Sequence, residues 1–279
     1  MKYFWTKFKS NSIFLPAYLC LQFMATIGIV TCGYNLNLFK EISYSHDLLW
    51  LIPIGFLFGI KLPTLMHNAA HENLKEGNII IGELSALVTL ISFGIVCINH
   101  KFHHAFADTD KDPHRPEGKS FGTYVLTCLH SGVAIIRRGY YKYHGESFTN
   151  RMLYQFCVVM HFSLIPLKLM AWHSILGTTF FALFYLPSFL SFIFTFAHVN
   201  YITHSVDERG KSVVSNMNSN IWYQFVNFLA DGIYFHKNHH INPNLYNPMD
   251  LEESKPTFVT GAFQRTSEKV FAFLTRHEL

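Results

Sequence analysis

The chain has 279 residues; half of them are apolar, 16% are aromatic and only 14% are charged. Soluble globular domains usually carry about a quarter charged residues, so this composition argues against a soluble protein and favours a membrane protein. The formal net charge of +4 gives no indication of nucleic-acid binding. Five cysteines (Cys20, Cys32, Cys97, Cys128 and Cys157) lie in apolar stretches without C-x-x-C spacing, which argues against a disulfide framework and against thiolate ligands.

The first two apolar runs predict two membrane-spanning helices. Three lysines lie in residues 2–9, and residues 13–34 then form an apolar run of about 20 residues, long enough to cross a bilayer core. The run has no signal-peptide cleavage pattern, so we predict a transmembrane helix with a cytoplasmic amino terminus. A second run, 48–66, returns to the cytoplasmic side and ends just before His67.

The apolar segment 79–98 must be reconciled with the histidines on either side of it. If it crossed the membrane, His67 and His100 would lie on opposite faces, about 30 Å apart, and could not share a metal site. Polar residues such as Glu83 and Ser92 favour a segment that is buried on the cytosolic side or lies along the interface. A full crossing is the alternative.

Basic residues dominate from Lys101 to Arg151, which places this region in the cytoplasm by the positive-inside tendency. Within it, residues 121–136 are apolar but bracketed by basic residues, which predicts an interfacial helix. Two further spans, 152–172 and 175–197, form an out-and-back pair with a turn at Trp172 and His173. Lys168, near the outer end of the first, is expected to snorkel towards the interface.

After the fourth span come a polar loop, a helical aromatic stretch over 221–235, and a tail with a short amphipathic helix near Glu268–Thr275. The predicted fold is therefore an all-α integral membrane protein of a single domain over residues 1–279. It has about four transmembrane helices, and a cytoplasmic helical cap (67–151 and 198–279) holds a di-metal site.

Histidines are concentrated in three clusters at the predicted cytoplasmic ends of helices. Residues three and four apart share one face of a helix, so each cluster can direct its imidazoles towards one site. Together with His204, the candidate ligands are His67, His71, His100, His103, His104, His236, His239 and His240. Nine imidazoles exceed the four to six positions of one ion, so two metals fit the count, although the composition leaves the metal open.

These clusters resemble the three histidine boxes of the membrane fatty acid desaturase and hydroxylase superfamily. The matching motifs are His67-x3-His71, His100-x2-His103-His104 and His236-x2-His239-His240. The run Asp108-Thr-Asp-Lys-Asp-Pro-His114 is similar to the D-T-x-x-D-P-H run of acyl desaturases. The pair Asn200-x3-His204 is similar to the N-x-x-x-H element of stearoyl-type desaturases. In that element the histidine is a further ligand and the asparagine holds a metal-bound water.

The resemblance implies a non-haem centre of two iron ions that uses O2 and two electrons to desaturate a fatty acyl lipid. The three residues between His67 and His71 match methyl-end desaturases and several hydroxylases, whereas acyl-CoA desaturases usually have four. No H-P-G-G haem signature of a fused cytochrome b5 domain is present. The electrons are therefore expected from a separate ferredoxin or cytochrome b5-like donor, and a basic cytoplasmic surface suits an acidic one.

Three carboxylates near the clusters are candidates for outer contacts to the ligands: Asp108, Asp112 and Asp231. Ligating histidines commonly donate their second N–H to a carboxylate. The alternative for the Asp-x-Asp run is a turn and helix cap before Pro113. His114, His130 and His144 are interpreted as structural or solvated.

Three other functions remain open. One is a hydroxylase or ketolase of the same superfamily, acting on an alkane, a sterol or a carotenoid. Another is a non-catalytic membrane protein that binds haem between intramembrane histidines, although here the clusters fall at helix ends. The last is a zinc-dependent membrane hydrolase, which would stay active without oxygen.

Overall fold

A computed structural model describes residues 2–36, 39, 42–107, 109, 111–112, 114–116, 118–206 and 212–251. The predicted tail helix near Glu268–Thr275 lies outside these residues. The helices are α1 (Lys2–Ser10), α2 (Phe14–Leu36), α3 (Leu51–His71), α4 (Asn78–Val88), α5 (Phe93–Phe106), α6 (Phe121–His144), α7 (Phe148–Phe180), α8 (Leu186–Thr203), α9 (Ile221–Leu229) and α10 (His236–Ile241). A π-helical turn, Phe181–Tyr185, joins α7 to α8. Within the described residues, the strands are β1 (His204–Val206) and β2 (Ser212–Val214), which pair as a hairpin.

Three helical stretches are long and apolar enough to cross a membrane: Phe14–Leu36, His46–His71 and Phe148–Thr203. The last has 56 residues, or roughly 84 Å at 1.5 Å per residue, far more than a bilayer core of about 30 Å. It is interrupted at Gly177, whose φ of 65° and ψ of 171° are not helical. This break divides the stretch into two legs, so the chain is an all-α, multi-pass membrane protein.

The four legs overlap the predicted spans, although the turn of the second pair lies at Gly177 and not at Trp172–His173. Glycine explains the position of the turn, because a positive φ is strained for any residue with a Cβ. The residues at which lipid contact begins and ends, and the single-domain assignment, stay predictions.

Close helix packing holds the legs together. Helix α2 packs against α7, and α3 packs against α8. At Gly59 the α3 backbone lies so close to the Ser188 carbonyl that a Cβ could not fit there. Ser191 Oγ donates a hydrogen bond of 2.8 Å to the Phe56 carbonyl. Small residues and interhelical hydrogen bonds of this kind stabilise helix pairs in lipid, where the hydrophobic effect does not drive association.

The segment predicted not to cross the membrane is a broken helix. Helices α4 and α5 meet at an angle of 101°. His71 ends α3, before the pair, and His100 lies on α5, yet their Nε2 atoms are 2.7 Å apart, so the chain enters and leaves the pair on one side. We interpret the pair as re-entrant. Leu90 and Phe93 at the break are buried among the other helices, in agreement with a buried segment, and the position of the break relative to the cytosolic face stays a prediction.

A break inside the membrane leaves backbone carbonyls without helical partners, and each must be satisfied by the protein. Three side chains from α7 and the π-helical turn donate to the carbonyls near this break. The bonds are Lys168 Nζ to Ala86 O (3.0 Å) and Ile91 O (3.2 Å), Trp172 Nε1 to Leu87 O (3.0 Å), and Tyr185 OH to Val88 O (3.0 Å).

The expectation that Lys168 snorkels is therefore wrong. Only 2% of the residue is exposed, and its ammonium group binds the two carbonyls inside the bundle. Backbone acceptors at a break provide a buried lysine with partners that an uninterrupted helix would not offer.

Helices α1, α6, α9 and α10 and the hairpin complete the described residues, and their role as a cytoplasmic cap stays a prediction. Helix α6 contains the predicted interfacial segment and continues to His144. The predicted helix over 221–235 is shorter in the structure, since α9 ends at Leu229 and a turn with positive φ at Asp231 and Gly232 follows. This turn redirects the chain into α10, which carries the third histidine cluster.

Candidate metal centre

All nine predicted ligands converge, and they divide into two groups. The first group has five histidines: His67 and His71 from α3, His100 and His104 from α5, and His239 from α10. Its ligand atoms lie within 4.8 Å of one another. The Nε2 atoms of His100 and His104 are 3.1 Å apart, and those of His104 and His239 are 3.0 Å apart.

The second group has four histidines: His103 from α5, His204 at the start of β1, and His236 and His240 from α10. Its ligand atoms also lie within 4.8 Å of one another. The Nε2 atoms of His236 and His240 are 3.3 Å apart. His204 reaches the group because α8 ends one residue earlier, at Thr203.

Helix geometry explains why two boxes each serve both groups. At 3.6 residues per turn, residues i and i+4 point about 40° apart, whereas i+3 points about 100° away from i+4. On α5, His100 and His104 join the first group, and the intervening position His103 joins the second. On α10 the assignment is reversed. His236 and His240 join the second group, and His239 joins the first. The expectation that each box points in one direction is therefore too simple.

The donor geometry fits metal ions. Two imidazole ligands at about 2.1 Å from one ion can be at most about 4.2 Å apart, so a spread of 4.8 Å needs only small movements. Among the described residues, the buried Nε2 atoms of His67 and His103 have no hydrogen-bond partner, as expected for atoms that bind a cation. Imidazole suits iron, zinc, copper and nickel, so this all-histidine donor set does not distinguish among them.

The electrostatics of α10 favour neutral imidazoles, which are the form that binds metals. Burial, followed by the proximity of His103 and His204, lowers the pKa of His240 to about 2. Burial also places the pKa of His236 and His239 well below the usual range, and neighbouring histidines add to the effect. These side chains therefore remain unprotonated and available as ligands near neutral pH.

Of the three carboxylates predicted to contact ligands, Asp112 does so. Its Oδ1 is 2.9 Å from His103 Nδ1, and both side chains are completely buried. The same oxygen accepts a hydrogen bond of 2.8 Å from the backbone N–H of His114. With Nδ1 bound to the carboxylate, Nε2 of His103 is directed towards the second group. The turn expected from the Asp-x-Asp run thus coexists with the contact to a ligand.

The other two carboxylates differ. Asp108 lies outside the described residues. Asp231 forms an ion pair of 2.5 Å with Lys61 and also interacts with the Tyr246 hydroxyl, so its carboxylate is engaged by groups other than the ligands. Asp231 lines a small cavity together with His236 and His239.

Asn200, the predicted holder of a metal-bound water, lines the same small cavity as His67, His236 and His239. Its Nδ2 donates to the Phe196 carbonyl at 2.9 Å. This bond fixes the orientation of the Asn200 side-chain amide, and the side chain is buried beside the predicted ligands. Whether it holds a water stays a prediction.

A larger cavity of about 460 Å³ extends from His67 and His100 to the α4–α5 break at Thr89–Ile91. Apolar side chains from α3, α5, α6, α7 and α8 form most of its wall, among them Met66, Ile95, Val158, Phe189 and Phe192. A cavity of this size is within the range of ligand pockets, which are about 300–1,000 Å³. The arrangement can hold an elongated apolar molecule with part of its length beside the first histidine group.

Sequence reasoning missed three polar residues of this cavity: Asn99, His114 and His161. His114 was interpreted as structural, but it lies in the cavity wall, with its ring centroid 5.4 Å from that of His103. A signal for His161 was available, because an ionisable residue in the middle of an apolar span usually has a function.

A model of the fatty acid desaturase family matches residues 42–248, about three quarters of the chain. Comparisons with curated proteins and with solved structures gave no match. The matched range includes all nine histidines of the two groups, Asn200 and Asp112. The chain therefore belongs to the fatty acid desaturase family.

Proposed function

We propose that the protein is an oxygen-dependent desaturase that introduces a carbon–carbon double bond into a fatty acyl lipid. The observation that carries the proposal is the contact between the apolar cavity and the first histidine group, through His67 and His100. The family supports an enzyme of desaturase or hydroxylase type. A two-group histidine centre beside a dry, elongated cavity fits the oxidation of an unactivated chain better than hydrolysis of a polar bond.

The nine histidines would hold two iron ions, five ligands for one and four for the other. When bound, such a centre supplies the oxidising power of O2 for removal of two hydrogens from neighbouring methylenes. The overall reaction balances as CH2–CH2 plus O2, two electrons and two protons, giving CH=CH and two waters. The electrons come from a separate ferredoxin or cytochrome b5-like donor.

The chain's own residues supply positioning and dryness. The cavity wall holds the substrate chain so that the methylenes to be oxidised face the histidine centre. Holding the reacting groups in a fixed geometry lowers the entropic part of the activation barrier. Aromatic side chains such as Phe189, Phe192 and Phe196 exclude water from this path. Asp112 fixes the ring of His103, and the bond from Asn200 to Phe196 fixes the amide beside the ligands.

The distribution of charge supports a cytoplasmic active site. Lys2, Lys7 and Lys9 precede the first span, and the region from Lys101 to Arg151 between the two span pairs is basic. Basic loops favour the cytoplasmic side. A basic surface beside the histidine centre would also attract an acidic electron donor.

The test is expression of the chain in a host of known lipid composition, followed by mass spectrometry of its acyl chains. We expect new double bonds in cells that express the wild-type chain and none in cells that express His103→Ala at the same level in the membrane. An unchanged lipid profile with the wild-type chain, given a supplied electron donor and confirmed loading with two ions, would refute desaturation.

The second candidate is a hydroxylase or ketolase of the same family. The spacing of three residues between His67 and His71 fits several hydroxylases as well as methyl-end desaturases, and the family includes enzymes of both types. The same mass spectrometry separates the two reactions, because hydroxylation adds an oxygen whereas desaturation removes two hydrogens.

A further inference from the structure

The wall of the 460 Å³ cavity contains polar side chains that the proposed reaction does not use, and two of them are Asn99 and His161. Asn99 extends from α5 and His161 from α7. Most of their neighbours in the wall are apolar, such as Ile95, Val158 and Phe192. Polar groups in a membrane-embedded apolar cavity need an explanation, because ionisable and polar residues at this depth are costly and usually functional.

One polar atom of each side chain has no hydrogen-bond partner among the residues that the structure describes. Asn99 Oδ1 and His161 Nδ1 are shut off from solvent and unpaired. Almost all buried polar groups in proteins are paired, so two unpaired polar atoms in the wall of one cavity are available to a molecule that enters it.

The backbone around the cavity makes room for Asn99. A Cβ built at Gly132 of α6 would lie 2.8 Å from Asn99 Nδ2, so the amide fits in its present position because residue 132 is glycine.

Asn99 on α5 and His161 on α7 belong to the wall of the same cavity. An extended ligand that fills this cavity can therefore contact both side chains.

We propose that Asn99 and His161 form a hydrogen-bonding subsite for an oxygen substituent, a hydroxyl or a ketone, on the lipid chain that occupies the cavity. The inference rests on the proposed function, since it assumes that the cavity receives that chain. An oxygen on the chain satisfies the unpaired groups, whereas an unsubstituted chain leaves them buried without partners. Sites built to bind a polar group reject analogues that lack it for this reason.

The experiment measures binding, so that it does not depend on turnover. Purified full-length protein in lipid nanodiscs is loaded with a fluorescent fatty acid, which is displaced by stearic acid or by a series of mid-chain hydroxystearic and ketostearic acids. We expect at least one oxygenated chain to bind about tenfold more tightly than stearic acid, the order of magnitude of one net hydrogen bond.

Asn99→Leu and His161→Leu should each reduce this preference, with stearic acid bound as well as or better than by wild type. Gly132→Ala should reduce it too, by displacing the Asn99 amide without removing it. The matched control is Thr89→Val in the same wall, because the Thr89 hydroxyl is already bonded to Met66 Sδ at 3.6 Å. This variant should keep the preference.

Equal binding of stearic acid and all oxygenated chains by wild type overturns the subsite and leaves the proposed function standing. A preference that survives in both leucine variants also overturns the subsite, and it would mean that the oxygen binds elsewhere. If neither the fluorescent fatty acid nor any of the other chains binds to the purified protein, the cavity does not receive acyl chains, and the proposed function falls together with the subsite.

Discussion

The contact between Asp112 and His103 allows a quantitative test of the metal centre. The two side chains are completely buried and 2.9 Å apart, so the carboxylate orients the imidazole without competition from water. Loss of such a carboxylate typically costs 10–100-fold in metal affinity. Since each factor of ten corresponds to about 1.4 kcal/mol, the contact is worth about 1.4–2.8 kcal/mol of binding free energy.

Two substitutions of Asp112 are expected to give the lower and the upper end of this range of metal affinity. Asp112→Asn keeps an oxygen for the N–H groups of His103 and His114 and removes only the charge, so we expect metal affinity to fall about tenfold. Asp112→Ala removes both acceptor and charge, and we expect a loss of about 100-fold. The matched control is Glu146→Gln, because the carboxylate of Glu146 is half exposed and pairs loosely with Arg151 at 3.6 Å.

The assay is the metal content of purified protein after equilibration with increasing concentrations of a chelator. The midpoint should shift in the order wild type, Asp112→Asn, Asp112→Ala, and Glu146→Gln should match wild type. If Asp112→Ala retains its metal as firmly as wild type does, the carboxylate does not orient a ligand and the assignment of His103 to the second group loses its support.

Three further predictions follow from the same contacts. His103→Ala and His239→Ala should each abolish activity and lower the metal content from about two ions to about one, with membrane insertion intact. A single ion in the wild-type protein, or turnover in either variant, would contradict this. Lys168→Met should lower the thermal unfolding midpoint, because it removes two charge-assisted bonds worth about 1.5–3 kcal/mol each, whereas the exposed Lys142→Met should not; equal midpoints would show that other donors satisfy the break. Metal-free protein should lose stability as the pH falls below about 6.5. The pKa of His240 is about 2 in the folded protein, so the unfolded chain takes up the proton first, and the free energy of unfolding falls by up to about 1.4 kcal/mol per pH unit. A flat stability profile from pH 7 to 5 would contradict this.

The site was largely predictable because its information is local. Spacings of three and four residues put histidines on one helical face, and nine imidazoles exceed the ligand positions of one ion. The division of the second and third boxes between the groups was also implicit in the helical angle, since His103 points away from His104. The spacing could not show which histidines of α5 share a group with which histidines of α10, because that depends on how the two helices face each other.

Contacts between distant parts of the chain were harder to predict. Asp231 is near the third box in the sequence, but the turn at Asp231 and Gly232 directs its carboxylate to Lys61, 170 residues away along the chain. His161 and Asn99 were passed over for a similar reason. A single histidine or asparagine in an apolar run carries no pattern, and its role emerges only when five helices enclose one cavity.

The re-entrant pair shows the limit of the argument from the side of the membrane on which the histidines lie. The requirement that His67 and His100 share a site correctly excluded a full crossing by residues 79–98. No glycine or proline marks the break between α4 and α5, and Leu90 adopts a φ of 64° that is unfavourable for a residue with a Cβ. Such a conformation persists only where surrounding contacts hold it. Lys168 provides two of those contacts. The broken helix therefore explains why a lysine lies inside an apolar span, and the lysine helps to explain why the break is stable. A charged donor within one helix is tolerated because a break in another leaves carbonyls that need it.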